Sequence, residues 1–171
     1  MNIFRLVTAL ALVLLLSGCG WQLRGQGMIP EGLDAINVRA RDPKSPIVTE
    51  LIQTLRSADV AVPESGDSAE YTLVITDESR DKRTATVNPN ARVSEQQLTE
   101  EVEFTVVGRD GEIALPRSRV VVERVFEYDE NNVIATRDEE ALIRTEMRRD
   151  LVGQVLNRLR QLKEPVGETA P

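Results

Sequence analysis

Cys19 is the chain's only thiol, and it directly follows an apolar run. Arg5 gives a short positive start, and VTALALVLLL, residues 7–16, forms a core of signal-peptide length. A bilayer-spanning helix needs roughly 20 apolar residues, so this run is too short to be one. Leu16, Ser17 and Gly18 place small residues immediately before Cys19. This is the pattern of a bacterial lipoprotein signal. Cleavage occurs before Cys19, its sulfur carries a diacylglycerol thioether, and the new amino terminus is acylated. Several acyl chains make the attachment stable, because each buried methylene adds about 0.8 kcal/mol. An ordinary secretory signal with an incidental Cys, or a buried anchor helix, are the plainer readings. Gly20, where Asp would retain a lipoprotein in the inner membrane, points to the outer membrane. With the thiol used for lipid, no cysteine remains for a disulfide or for redox or metal chemistry.

The chain has no histidine. That excludes Ser-His and Cys-His nucleophilic arrangements and most imidazole metal ligation. Carboxylates are dense at Glu100, Glu101 and Glu103, and again at Asp138, Glu139 and Glu140. Two carboxylates can hydrolyse a glycoside. Here the bland roles fit better: Glu101 and Glu103 fall on the polar parity of a strand, and Asp138 to Glu140 on the first turn of a helix, where the dipole favours anions. No Gly-turned calcium loop and no phosphate-binding Gly-rich loop is present. No cofactor is expected. Arg80, Lys82, Arg83 and Arg92 gather around one polar connection, and Arg137 stands at a helix start. Arginine holds a phosphate bidentately, which suits a phosphorylated lipid. The competing reading is surface charge, with Arg80, Lys82 and Arg83 balanced by Asp77, Glu78 and Asp81. A net charge of −7 over 171 residues, one unit more negative without Arg5, argues against nucleic acid as a partner.

The elements that must position these groups can be read from periodicity. Residues 34–39 alternate weakly, with Ile36 and Val38 inward, and predict a first strand. DPKSP, residues 42–46, is a turn, and Ile47, Val48, Leu51, Ile52, Leu55 and Ala58 predict an amphipathic helix over 46–58. Residues 71–76 predict a second strand. Residues 77–92 are polar, with a turn at Asn88, Pro89 and Asn90 and room for the flanking strands to extend into it. In residues 98–107, Leu98, Val102, Phe104 and Val106 share one parity, and a turn follows at 108–112. Residues 119–128 form a fourth strand with Val120, Val122, Phe126 and Tyr128 on one face and Val121 and Val125 on the other. Two apolar faces mean either an inner strand or a strand that meets a partner. Thr136 and Glu139 fit a capping box opening a final helix. In that helix Leu142, Ile143, Met147, Leu151, Val152, Val155, Leu156, Leu159 and Leu162 keep one face apolar. The expected fold is α+β, a two-layer sandwich in which two helices cover one face of a four-stranded mixed sheet (β-α-β-β-β-α). Residues 1–18 are the signal, 19–33 a lipidated tether, 34–163 the single domain and 164–171 a disordered tail.

GCGWQLRG, residues 18–25, resembles the start of the lipopolysaccharide-assembly lipoprotein LptE (RlpB) family, which begins G-C-G, an aromatic, any residue, Leu, Arg and often Gly. Val106 to Asp110 and the segment from Ala135 to Asp138 fall where that family has similar sequence, and the likeness covers about residues 16–162. The resemblance implies a non-enzymatic lipoprotein on the periplasmic side of the outer membrane, plugging an LptD-type β-barrel, helping it assemble, and binding lipopolysaccharide. It maps the family's basic lipopolysaccharide contacts onto Arg92 and Arg137. The loop at 87–91 departs from the family pattern, and the family can carry Lys where Arg137 stands. The alternative of another class is a periplasm-facing scaffold or inhibitor lipoprotein with a soluble protein partner.

Overall fold

The computed structural model describes residue 29 and residues 32–162. Cys19, the signal, most of the tether and the tail from residue 163 onward lie outside the described residues. The elements follow in the order β1 (Ile36–Ala40), α1 (Pro46–Ser57), β2 (Tyr71–Val87), β3 (Val93–Gly108), β4 (Ile113–Glu127) and α2 (Val133–Leu159). The sheet order is β1-β2-β3-β4. β1 runs parallel to β2, reached through the α1 crossover, and the other two pairings are antiparallel hairpins. This is the expected α+β sandwich.

Local chemistry sets each boundary. Pro46 lies in the first turn of α1, and Ser45 caps it, its Oγ accepting from Val48 N at 3.1 Å. Ile47, Val48, Leu51 and Leu55 recur on one face and are all buried. In β3 the even positions Leu98, Val102, Phe104 and Val106 are fully buried against the helices, while Thr99, Glu101, Glu103 and Thr105 lie on the open face. Gly111 takes φ +87° in the β3–β4 turn, a conformation that costs glycine little. Met147, Leu151, Val152, Val155, Leu156 and Leu159 of α2 complete one core with α1 and the sheet.

Several expectations change. β2 continues to Val87 and β3 begins at Val93, so most of the polar stretch is strand, held by ladder pairing rather than burial. β1 pairs only with Tyr71 to Ile75 of β2. β4 is an edge strand, not an inner one: Val120, Val122 and Phe126 are buried, whereas Val121 and Val125 face solvent. α2 starts at Val133 with Asn132 at the N-cap, so Thr136 is not a cap. Its buried hydroxyl donates to Asn132 O at 3.1 Å, a contact inside the helix, and no capping box forms. Asp138, Glu139 and Glu140 consequently fall in the second turn, beyond the strongest pull of the dipole. Leu142 is exposed and Ile143 only half-buried, so the apolar face of α2 is continuous only from Met147 onward.

Candidate functional site

The β2–β3 hairpin and the start of α2 meet at one end of the sheet. Val87 pairs with Val93, and residues 88–92 close the turn. Asn88 organises it: its Oδ1 accepts from Asn90 N at 3.0 Å and from Arg92 N at 3.1 Å, and its backbone N–H donates to Arg92 O at 2.8 Å. Ala91 is held at φ 59°, an uncommon conformation for a residue with a Cβ. β4 returns to the same end, where Tyr128 N donates to Ser94 O at 2.9 Å. The loop to α2 then brings Glu130 against the Arg92 guanidinium in an exposed ion pair. Arg137 stands on the second turn of α2, exposed and without an ion pair to any described residue. Arg92 and Arg137 are therefore brought to the same end of the molecule. Val87, at the end of β2, and Val133 and Ile134, at the start of α2, are exposed, Ile134 by 76%.

The other basic residues of the supposed cluster are separated by strand alternation. Arg83 sits opposite Gln97, to which it donates, on the open face. Arg80 and Lys82 sit opposite Glu100 and Leu98, on the helix-covered face. Lys82 is balanced by Glu140 of α2 (Nζ to Oε2, 2.9 Å), not by the neighbouring acids of its own strand. Arg144 Nε donates to Glu140 Oε1 at 2.9 Å, and Arg144 Nη1 lies 3.5 Å from Glu100 Oε1. Glu100 is 0% exposed, and neither of its oxygens has a hydrogen-bond partner. In the sequence it stood only in a dense carboxylate run, with the polar parity assigned to Glu101 and Glu103. Its even parity, shared with Leu98 and Val102, was the signal that it points inward. For Glu140, burial pushes the carboxyl up, but hydrogen bonds from Lys82 and Arg144 and their charges outweigh it and hold it below its ordinary value.

A cleft of about 670 Å³ opens where β1 ends, lined by Arg41, Asp42, Ser45, Asp77, Glu78 and Arg80 among others. Glu78 accepts from Ser45 Oγ at 2.9 Å, yet desolvation raises its carboxyl above the usual value. Carboxylates and guanidiniums are mixed there, so the cleft selects no ligand charge. Among the described residues there is no group of His, Cys, Asp and Glu that could hold a metal, and no helix long and apolar enough to cross a membrane.

The profile of a protein family, LptE, described as lipopolysaccharide-assembly, matches residues 33–159, which is nearly the whole of this fold. The chain belongs to the LptE family. A relative from Photorhabdus laumondii, an LPS-assembly lipoprotein LptE, is 32% identical over 158 residues, covering 92% of this chain and 85% of its own. The LptE of Pectobacterium atrosepticum is 28% identical with the same coverages. The fold is shared with lipoprotein B of Nitrosomonas europaea, with a TM-score of 0.69, 20% identity and 81% and 88% of the two chains covered. Rare lipoprotein B of Shewanella oneidensis gives 0.61, 21%, 74% and 91%. An LptE-family chain has its role in lipopolysaccharide assembly.

Proposed function

We propose that this LptE-family chain is anchored to the outer membrane through Cys19, seats inside an LptD-type β-barrel, and binds lipopolysaccharide at the hairpin end of its sheet. The observation that carries the binding reading is that the hairpin turn and the start of α2 carry Arg92 and Arg137 together with the exposed apolar side chains Val87, Val133 and Ile134. A lipid A headgroup offers phosphates next to acyl chains, and guanidiniums next to exposed apolar groups complement both. The plug reading draws on the family and on a compact body without a membrane-crossing helix among its described residues. Replacing Arg92 and Arg137 together by Glu tests the binding. Lipopolysaccharide affinity falls at least tenfold, while circular dichroism and co-isolation with the barrel from native membranes stay unchanged. Undiminished affinity would remove the two arginines from the site, and a wild-type chain isolated from native membranes without a barrel would refute the plug.

A further inference from the structure

The two helices differ greatly in length. At 1.5 Å per residue, α1 spans roughly 18 Å and α2 roughly 40 Å. Arg149 faces Glu50 at 3.8 Å, so α1 lies beside the later half of α2. The first half of α2 extends past it over the sheet. That overhang has little apolar attachment: between Thr136 and Met147 no residue is fully buried, and the half-buried Ile143 alone packs against the core. What it has is charge. Lys82 on β2 reaches Glu140, Glu140 accepts from Arg144, and Arg144 approaches Glu100 on β3. Two adjacent strands are thus linked to two successive turns of the helix. Glu100 is fully buried, its ion-pair partner among the described residues is Arg144, and Arg80 stands opposite it on the neighbouring strand. Arg137 lies one turn before Glu140, on the part of the helix that this network holds.

We propose that Lys82, Glu100, Glu140 and Arg144 form a charged clasp that fixes the overhanging first half of α2 and thereby sets the direction in which Arg137 is presented to lipopolysaccharide. These four are positioning residues, and the positioning role rests on the binding reading above.

Glu100→Gln separates this from bulk electrostatics. Removing one negative charge near an anion site should tighten binding if charge alone matters, whereas a loosened clasp weakens it. In the full chain purified in detergent, amide hydrogen exchange is followed by mass spectrometry. Affinity is measured for purified lipopolysaccharide, with phosphatidylglycerol vesicles as the anionic control. Glu100→Gln and Lys82→Met speed exchange in residues 133–143 by about threefold to fivefold, the scale of a part-exposed pair, without changing residues 147–159. Both variants also bind lipopolysaccharide several-fold more weakly, and Lys82→Arg behaves as the wild type. Equal acceleration in both halves of α2, or Glu100→Gln binding as tightly as the wild type, overturns the proposal. Should the wild type show no preference for lipopolysaccharide over the control vesicles, the binding reading fails and the positioning role with it; the exchange data then still decide whether the clasp holds the helix.

Discussion

Glu130 occupies the Arg92 guanidinium that, on the binding reading proposed above, an incoming phosphate would need. The Arg92–Glu130 pair is exposed on both sides, so separating it costs little. Glu130→Gln should therefore raise lipopolysaccharide affinity by about threefold through the freed Arg92, measured as a binding isotherm at fixed salt. Asn88 acts on the same group through the backbone, since its side chain accepts from Arg92 N. Asn88→Ala is expected to lower stability by about 1 kcal/mol in urea unfolding, the worth of a lost turn cap, and to weaken binding in parallel. Little of this was legible beforehand. Arg92 was singled out through resemblance, because a polar turn gives no periodicity that would mark one arginine from another. Arg137 was singled out the same way; the capping box expected around it does not form, yet the residue is exposed near the helix start in either register. Cys19 was legible from its neighbours alone and lies outside the described residues.

Within single elements, α2 behaves as two pieces. Leu151 is fully buried and Leu142 is 61% exposed, although both fit the same periodic stripe in the sequence. Leu151→Ala should cost about 2–5 kcal/mol and Leu142→Ala no more than about 0.5 kcal/mol, read from the midpoints of urea titrations. The stripe was visible in the sequence, but its interruption was not, because burial of the first half depends on how far α1 reaches. β2 shows the converse. Beyond Thr76 it is polar at both parities, so alternation could not reveal a strand that exists by pairing with β3. Titration also belongs to this scale. The lowered Glu140 carboxyl stabilises the fold above its unfolded value, and that contribution is lost as pH falls through the folded one. Glu78 has the opposite sign: raised by burial, it favours folding below its unfolded value and loses this as pH rises through the folded one. Glu78→Gln should therefore gain stability relative to the wild type as pH is raised from about 4 to 7, and the reverse trend in pH-dependent melting would refute the assignment.

At the scale of the whole molecule, the order of periodic segments was enough to give the α+β sandwich, because two apolar helix stripes and one inward sheet face have only each other to cover. Among the described residues the core begins at Leu33, with Ile29 packed against it, downstream of Cys19. Cys19→Ser is thus expected to move the chain from the membrane to the soluble periplasmic fraction, with unchanged circular dichroism of the purified product. The strand order has one more implication. Among the described residues, β1 stops opposite Ile75 on one side and leaves the rest of that margin of β2 without a neighbour; on the other, β4 is outermost for its full length. Each margin offers a row of peptide groups to any strand that comes near. On the plug reading proposed above, a cell that makes this polypeptide in excess of its barrel should accumulate it as insoluble deposits, so its dosage would have to follow that of the barrel.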